Sequence, residues 1–197
     1  MRIALISCTS IKKAYKCPAR DLYSESPRFQ LAFSFAKLIA DKIFILSAKY
    51  GLVPEDMIIE PYNETLEEKS ARERRAWGDT VLNDLRKVSD LEHDEFIILA
   101  GEVYHENLLP HMNHFWLPLK SKRQGEWIPE LKRLIRLESE SDKTIVLHML
   151  FNGLPRLDWT MINRIPYQNG IYIMFAKGEY YHGMDRIVRV GTHRGQD

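Results

Sequence analysis

The sequence predicts an α/β domain with an open, mainly parallel sheet of about four strands flanked by helices, and a C-terminal two-stranded β-hairpin. Three short apolar runs carry this prediction, because they lack the alternation of a half-exposed strand and so indicate strands covered on both faces. Strands that alternate with helical patterns favour a layered domain with right-handed crossovers. The three runs and a weaker fourth are residues 3–6, 43–46, 96–99 and 114–117.

Helical patterns fill the intervals between these strands. Ser26 followed by Pro27 predicts the start of one helix. Thr65, with Glu68 three residues later, predicts a capping box at the start of a second helix. Apolar residues repeating over 127–135 predict a third.

The composition changes near residue 150. We therefore expect an α/β pocket domain over residues 1–150 and a linker over 151–169, where prolines and glycines accumulate. Two apolar runs within 170–197 predict the β-hairpin. Because two strands cannot bury a core alone, this tail either adds to the first domain or begins a domain whose remainder is missing.

Composition and charge narrow the class of protein. The 197 residues are 45% hydrophobic and 28% charged, as in ordinary globular proteins, and a net charge of +1 argues neither for nor against nucleic acid. Cys8 and Cys17 form no CxxC motif and no disulfide framework, which favours a reducing, cytoplasmic compartment. No segment has the roughly 18 to 20 apolar residues of a membrane span, so no membrane partner is expected. Composition leaves the oligomeric state open.

Polar residues follow each of the first three strands where the strand ends, in "SCTSIKK", "SAKYGL" and "AGEVYH". In an open parallel sheet the ligand crevice lies beyond the carboxyl ends of the strands, so these stretches predict one pocket. Hydroxyls and lysines suit phosphate or sugar oxygens, tyrosines stack on bases, and glycine permits close backbone approach. The predicted binding residues are Ser7, Thr9, Ser10, Lys12, Arg20, Lys49, Tyr50, Gly51, Gly101 and Tyr104.

Asp21 and Glu102 are the predicted catalytic carboxylates, which would orient a water or stabilise positive charge at a glycosidic bond. Each feature also has a structural alternative. A Ser/Thr cluster forms turns or helix caps, and Gly51 provides a positive φ. Glu102 complements a helix dipole, and Arg20 pairs with Asp21. The coincidence of three loops at one edge favours the pocket.

Several motifs are absent. His105, His111 and His114 crowd one region, but Pro110 interrupts it and no HExxH pattern appears, so no zinc site is expected. The sequence also lacks a GxSxG elbow, a Walker loop and a GxGxxG fingerprint. Recognisable hydrolases, NTPases and dehydrogenases are therefore excluded.

The motifs "ISCTSIKK", "ARDLYSESPRF", "FILSAKYGLVPEDMIIEPYNETL" and "LAGEVYHENLLP" resemble the YaaA-like family of bacterial and phage proteins. The resemblance covers residues 1–120. It implies DNA binding and a role in peroxide stress. Such domains are also similar in strand order to uracil-DNA glycosylase-type folds, an analogy of fold alone.

The tail, residues 165–197, resembles the opening of a GIY-YIG endonuclease domain. Gly170, Ile171 and Tyr172 match the first motif, and only the glycine of the second is retained, at Gly191. The resemblance implies Tyr172 as a catalytic residue of a truncated or degenerate nuclease segment. It implies no cofactor, except a divalent metal if a complete nuclease domain follows.

These features together predict a protein that acts on nucleic acid or nucleotides, with glycosidic-bond chemistry in the α/β pocket. The alternative is a non-catalytic DNA-binding or nucleotide-sensing module in stress response or phage defence. The sequence leaves open whether the protein is an enzyme.

Overall fold

The computed structural model describes residues 1–154, 170–181 and 184–193. The chain divides into two compact units, Met1–Glu138 and Ser139–Asp197. Of the expected linker, residues 155–169 lie outside the described residues.

The first unit confirms the predicted α/β fold. Its main sheet has the strand order β4-β3-β1-β6-β7, and every neighbouring pair is parallel except β3 with β4. The short strands β2 and β5 form a separate antiparallel ladder. The strands of the first unit are β1 (Arg2–Ser7), β2 (Cys17–Pro18), β3 (Lys42–Ser47), β4 (Gly51–Pro54), β5 (Ile58–Ile59), β6 (Glu95–Leu99) and β7 (His114–Trp116).

Five α-helices and three short 3₁₀ turns connect the described strands. The α-helices are α1 (Ala19–Leu22), α2 (Pro27–Ile39), α3 (Ala71–Val88), α4 (Glu102–His105) and α5 (Trp127–Asn152). The 3₁₀ turns are Leu66–Glu68, Leu109–His111 and Gln124–Glu126.

Strand β1 is the centre of the sheet. Ala4 pairs in register with Ile43 of β3 on one side and Ile97 of β6 on the other. All five residues from Ile3 to Ser7 are buried, as expected for a strand covered on both faces. The apolar side chains of α2 and α3, among them Phe35 and Leu82, belong to the same core.

The order of the strands creates a switch point beside β1. The chain moves from β1 to β3 on one side, then returns across β1 to β6 on the other. The loops that leave the carboxyl ends of β1 and β6 therefore run in opposite directions. In open α/β sheets a ligand crevice forms where two such loops separate.

The structure differs from the sequence predictions at two places. Gly51, at φ 70°, lets the chain fold back after β3 into the antiparallel edge strand β4, which was not predicted. The capping box is made by Ser70 and Glu73, not by Thr65 and Glu68. Thr65 caps only a 3₁₀ turn, since Lys69 is extended and ends it.

The described part of the second unit contains the end of α5 and the antiparallel ribbon of β8 (Gly170–Tyr181) and β9 (Met184–His193), which confirms the predicted hairpin. The side-chain amide of Asn152 donates to the Asp185 carbonyl at 3.2 Å and accepts from the Asp185 amide at 3.1 Å. The Ile187 amide donates to Nε2 of His148 at 3.4 Å. These bonds attach the helix end to β9.

Candidate functional site

A crevice of about 360 Å³ lies at the switch point, between the loops that follow β1 and β6. Its volume falls in the range of small-molecule sites. The 3₁₀ turn Leu66–Glu68, the start of α2 and the start of α5 complete its walls. The lining residues are Ser7, Cys8, Thr9, Ser10, Lys12, Arg28, Asn63, Glu64, Thr65, Glu67, Glu68, Gly101, Val103, Tyr104, Gln124 and Trp127.

The loop after β1 is held in place by backbone contacts. The Cys8 amide donates to the Leu46 carbonyl of β3 at 3.0 Å, so this loop continues the direction of the sheet. The Thr9 hydroxyl donates to the Ile11 carbonyl at 2.9 Å and closes a local turn. The fixed loop presents Lys12 to the crevice.

A buried hydroxyl cluster lies behind this loop. The Ser47 hydroxyl donates to the Tyr62 hydroxyl at 2.7 Å, and the Tyr62 and Tyr23 hydroxyls are 2.8 Å apart. Burial raises the pKa of both phenols well above the ordinary value. Both tyrosines therefore stay neutral near pH 7 and fix the segment that carries Asn63 and Glu64.

Cys8 and Tyr104 meet across the switch point. The Cys8 sulfur and the Tyr104 hydroxyl are 3.3 Å apart, and both side chains are buried. Burial also raises the pKa of Tyr104 above its usual range. This contact joins the loop after β1 to α4, which follows β6.

The crevice contains cations and carboxylates. The Lys12 ammonium lies 4.6 Å from the centroid of the Tyr62 ring, and burial lowers the Lys12 pKa. The Arg28 guanidinium lies 5.3 Å from the centroid of Trp127. Glu67 and Glu68 are exposed and have no ion pair among the described residues. Such a mixed lining suits a ligand with both an anionic group and polar hydrogens.

The sequence-predicted residues fall into two groups. Six of them line the crevice: Ser7, Thr9, Ser10, Lys12, Gly101 and Tyr104. Six described residues of the same unit do not line it: Arg20, Asp21, Lys49, Tyr50, Gly51 and Glu102. Tyr172 lies in the other unit, on β8.

The residues of "SAKYGL" are used by the turn between β3 and β4. The Ser47 hydroxyl accepts from the amides of Lys49 at 3.3 Å and Tyr50 at 3.0 Å. The Lys49 ammonium lies 5.2 Å from the centroid of the Tyr50 ring. Gly51 provides the positive φ of the turn, so "SAKYGL" has the structural role that the sequence analysis gave as the alternative to ligand binding.

Asp21 and Arg20 belong to the short helix α1. The Arg20 amide donates to the Glu55 carbonyl at 2.9 Å, which ties this helix to the segment after β4. Among the described residues the Arg20 and Asp21 side chains form no ion pair with each other.

Several crevice residues were missed by sequence reasoning because they come from distant parts of the chain. The missed residues are Cys8, Arg28, Asn63, Glu64, Thr65, Glu67, Glu68, Val103, Gln124 and Trp127. Cys8 carried a usable signal, since it directly follows a buried strand beside predicted residues. Val103 carried the same signal, since it lies between the predicted residues Glu102 and Tyr104. The others carried none, because only the folded chain brings 28, 63–68 and 124–127 to one place.

A second, more open depression of about 480 Å³ lies near the amino end of β6. It is lined by the end of α3, the loop before β6 and His111. The carboxyl-edge crevice remains the better candidate, because the switch-point rule places ligands at the carboxyl ends of strands.

The part of the chain that the structure describes contains no group of three or more His, Cys, Asp or Glu side chains placed to hold a metal. Within the same residues, no helix combines the length and the apolar character needed to cross a membrane.

The family comparison matches residues 3–133 to a family of unknown function, DUF6884. The comparisons with curated proteins and with solved structures give no significant match. The match corrects the YaaA-like assignment of residues 1–120, which is wrong. The four quoted motifs mark loops and turns of an α/β sheet, which other families share.

The GIY-YIG assignment of the tail is also wrong, since the family comparison shows DUF6884 over residues 3–133 and shows no GIY-YIG match. The structure gives the matched letters another explanation. Tyr172 pairs in register with Gly191, and a Cβ at Gly191 would overlap the Tyr172 ring. The tyrosine and the glycine thus satisfy the packing of a β-ribbon. By its match over residues 3–133, the chain belongs to the DUF6884 family.

Proposed function

We propose that the crevice beside β1 binds a nucleoside or nucleotide, free or within nucleic acid, and that its chemistry is at the glycosidic bond. One observation carries the proposal. A cavity of about 360 Å³ at the switch point brings together two cations, three glutamates and several neutral hydrogen-bonding side chains. A nucleotide presents phosphate, sugar hydroxyls and the polar edge of a base, which are the complements of these groups.

Lys12 and Arg28 are the proposed phosphate contacts. A hydrogen bond to a charged group contributes about 1.5–3 kcal/mol, so we expect Lys12→Met or Arg28→Met to weaken nucleotide binding about tenfold or more. Lys49→Met is the matched control, because Lys49 is exposed and does not line the crevice. Isothermal titration with nucleosides, nucleoside monophosphates and a single-stranded oligonucleotide measures these affinities. If the parent chain binds none of the three, the proposal fails.

Glu67 and Glu68 are the proposed carboxylates for glycosidic-bond chemistry. Either one would stabilise the positive charge that develops on the sugar as the base leaves. Chromatography of released base tests this role with the double variant Glu67→Gln, Glu68→Gln. We expect base release by the parent and about a hundredfold loss in the variant, within the usual contribution of an acid or base. Glu92→Gln is the control, since Glu92 is exposed and precedes β6 at the opposite edge of the sheet.

A non-catalytic nucleotide sensor is the second candidate. It is favoured by the position of Asp21 and Glu102, the two carboxylates predicted from sequence, outside the crevice lining. A sensor would bind nucleotide in the titration and release no base, so the same two measurements separate the candidates.

A further inference from the structure

Lys12 occupies an unusual position among the lysines of the first unit. It lines the crevice, is half-buried, and lies 4.6 Å from the centroid of the Tyr62 ring and 6.0 Å from that of Tyr23. Within the described residues, no carboxylate lies at ion-pair distance from it. By contrast, Lys37 pairs with Glu55 at 2.8 Å.

Two effects act on the protonation of Lys12. Burial without a paired carboxylate lowers its pKa, since the crevice wall desolvates the ammonium. The tyrosine rings act in the opposite direction, because a ring face attracts a cation. The amine form is therefore more accessible than at a surface lysine, while the rings fix its position. The charged and titratable groups of the surrounding elements are Cys8, Tyr23, Arg28, Tyr62, Glu64, Glu67, Glu68 and Tyr104.

A desolvated lysine amine in a ligand cavity is the arrangement used for imine formation with carbonyl compounds. The sugar left when a base departs from a glycosidic bond opens to an aldehyde. Arg28, in the same crevice, provides the cation for the phosphate of such a sugar, so that Lys12, a phosphate contact of the intact nucleotide, acts as the amine once the base has left.

We propose that Lys12 forms an imine with the aldehyde carbon of a ring-opened sugar phosphate bound in the crevice. The nitrogen lone pair adds to the carbonyl carbon, and the C=O π electrons move to the oxygen, which takes up a proton. The resulting carbinolamine loses that oxygen as water, with both nitrogen protons removed, to give C=N. Hydrolysis reverses the step, and nothing is oxidised or reduced. The inference rests on the proposed function only for the source of the aldehyde.

Reductive trapping tests this inference. The full chain is incubated with ribose 5-phosphate and sodium cyanoborohydride, which reduces an imine to a stable secondary amine. Intact mass and peptide mapping then locate the adduct. We expect labelling at Lys12 to exceed that at Lys49 about tenfold or more near neutral pH, since a sugar phosphate held in the crevice has a much higher effective concentration beside Lys12 than beside an exposed lysine.

Lys12→Arg is the decisive variant, because arginine keeps the positive charge but lacks a nucleophilic amine. It should remove the adduct at this position, while Lys49→Arg should leave that adduct unchanged. An equal adduct on Lys12 and the exposed lysines, or a total yield unchanged in Lys12→Arg, would overturn the inference. Circular dichroism verifies that both variants are folded.

The two proposals fail in different ways. If nucleotides do not bind but Lys12 is trapped, the proposed function is wrong and the imine site stands. If nucleotides bind and no adduct forms at Lys12, the imine inference is wrong and the proposed function stands.

Discussion

The turn after β3 and the loop after β1 leave the same edge of the sheet, yet they use their polar residues differently. In the turn, the Ser47 hydroxyl donates to Tyr62 and accepts from two backbone amides, so its hydrogen bonds are all made to groups of the protein itself. In the loop, Ser10 and Lys12 line the crevice and form no side-chain hydrogen bond or ion pair among the described contacts. Similar residue types after a strand therefore make a turn in one case and a candidate site in the other.

Both regions contain buried tyrosines, and the stability of the first unit at alkaline pH tests this shared feature. Tyr23 belongs to the buried hydroxyl cluster that holds the turn, and Tyr104 forms part of the crevice wall. Burial raises the pKa of both tyrosines. In the unfolded chain both ionise near pH 10, so the unfolded state loses protons first and stability falls as pH rises above about 10. The loss is about 1.4 kcal/mol per pH unit for each tyrosine, or about 3 kcal/mol at pH 11 from these two, to which Tyr62 adds because burial also raises its pKa.

Urea unfolding followed by tryptophan fluorescence at pH 8 to 11 measures this loss. Lys12 acts in the opposite direction, because its lowered pKa makes stability rise as pH increases towards its unfolded value of about 10.4. Lys12→Met should therefore steepen the alkaline loss. A free energy of unfolding that is unchanged between pH 8 and 11 would contradict the prediction.

Ser47→Ala and Ser10→Ala separate the two regions directly. Ser47 is fully buried, and its removal takes away one hydrogen bond of Tyr62 and leaves two backbone amides without this acceptor, so we expect a loss of about 2 kcal/mol. Ser10 is exposed, and its removal should change stability by less than about 0.5 kcal/mol. Thermal and urea unfolding measure both values. Equal losses in the two variants would remove the distinction between turn and crevice.

Gly51→Ala and Gly101→Ala compare the turn with the crevice again, and we expect a smaller difference in stability between these two variants. Gly51 has φ 70°, which strains any residue with a Cβ, so we expect a loss of about 1 kcal/mol. Gly101 has φ −68°, and a Cβ there meets nothing within 4 Å. Alanine restricts the unfolded chain but is a poorer N-cap of α4, and because these effects oppose each other, stability should change by less than about 0.5 kcal/mol.

The same glycine pair gives a readout of ligand binding. Because Gly101 lines the crevice, its alanine variant is expected to weaken nucleotide binding without loss of stability. Isothermal titration measures the nucleotide affinity of the variant, and its unfolding curve measures its stability. Nucleotide affinity equal to that of the parent would show that no ligand atom approaches the Gly101 backbone.

The main strands and the helix after Ser26 could be predicted because their signals are local. Ile3 to Ile6 and Phe96 to Leu99 are continuously apolar, and a strand buried on both faces needs that pattern. Ser26 caps the helix as predicted, accepting from the Phe29 amide at 3.4 Å. The N-cap of α3, Ser70, was missed. Thr65 with Glu68 and Ser70 with Glu73 have the same three-residue spacing, and only the extended backbone of Lys69 between them separates the two candidates.

The amino-acid sequence by itself determined the α/β class, the edge of the sheet at which a pocket is expected, and the membership of Lys12 in that pocket. These follow from hydrophobic periodicity and from the polarity of parallel strands. Only the tertiary structure decided that Lys49 belongs to a turn and that Arg28, Glu67 and Trp127 join Lys12 in one crevice. The physical reason is that hydrogen-bond partners and distant neighbours are chosen by the packing of the whole chain, which no local pattern records.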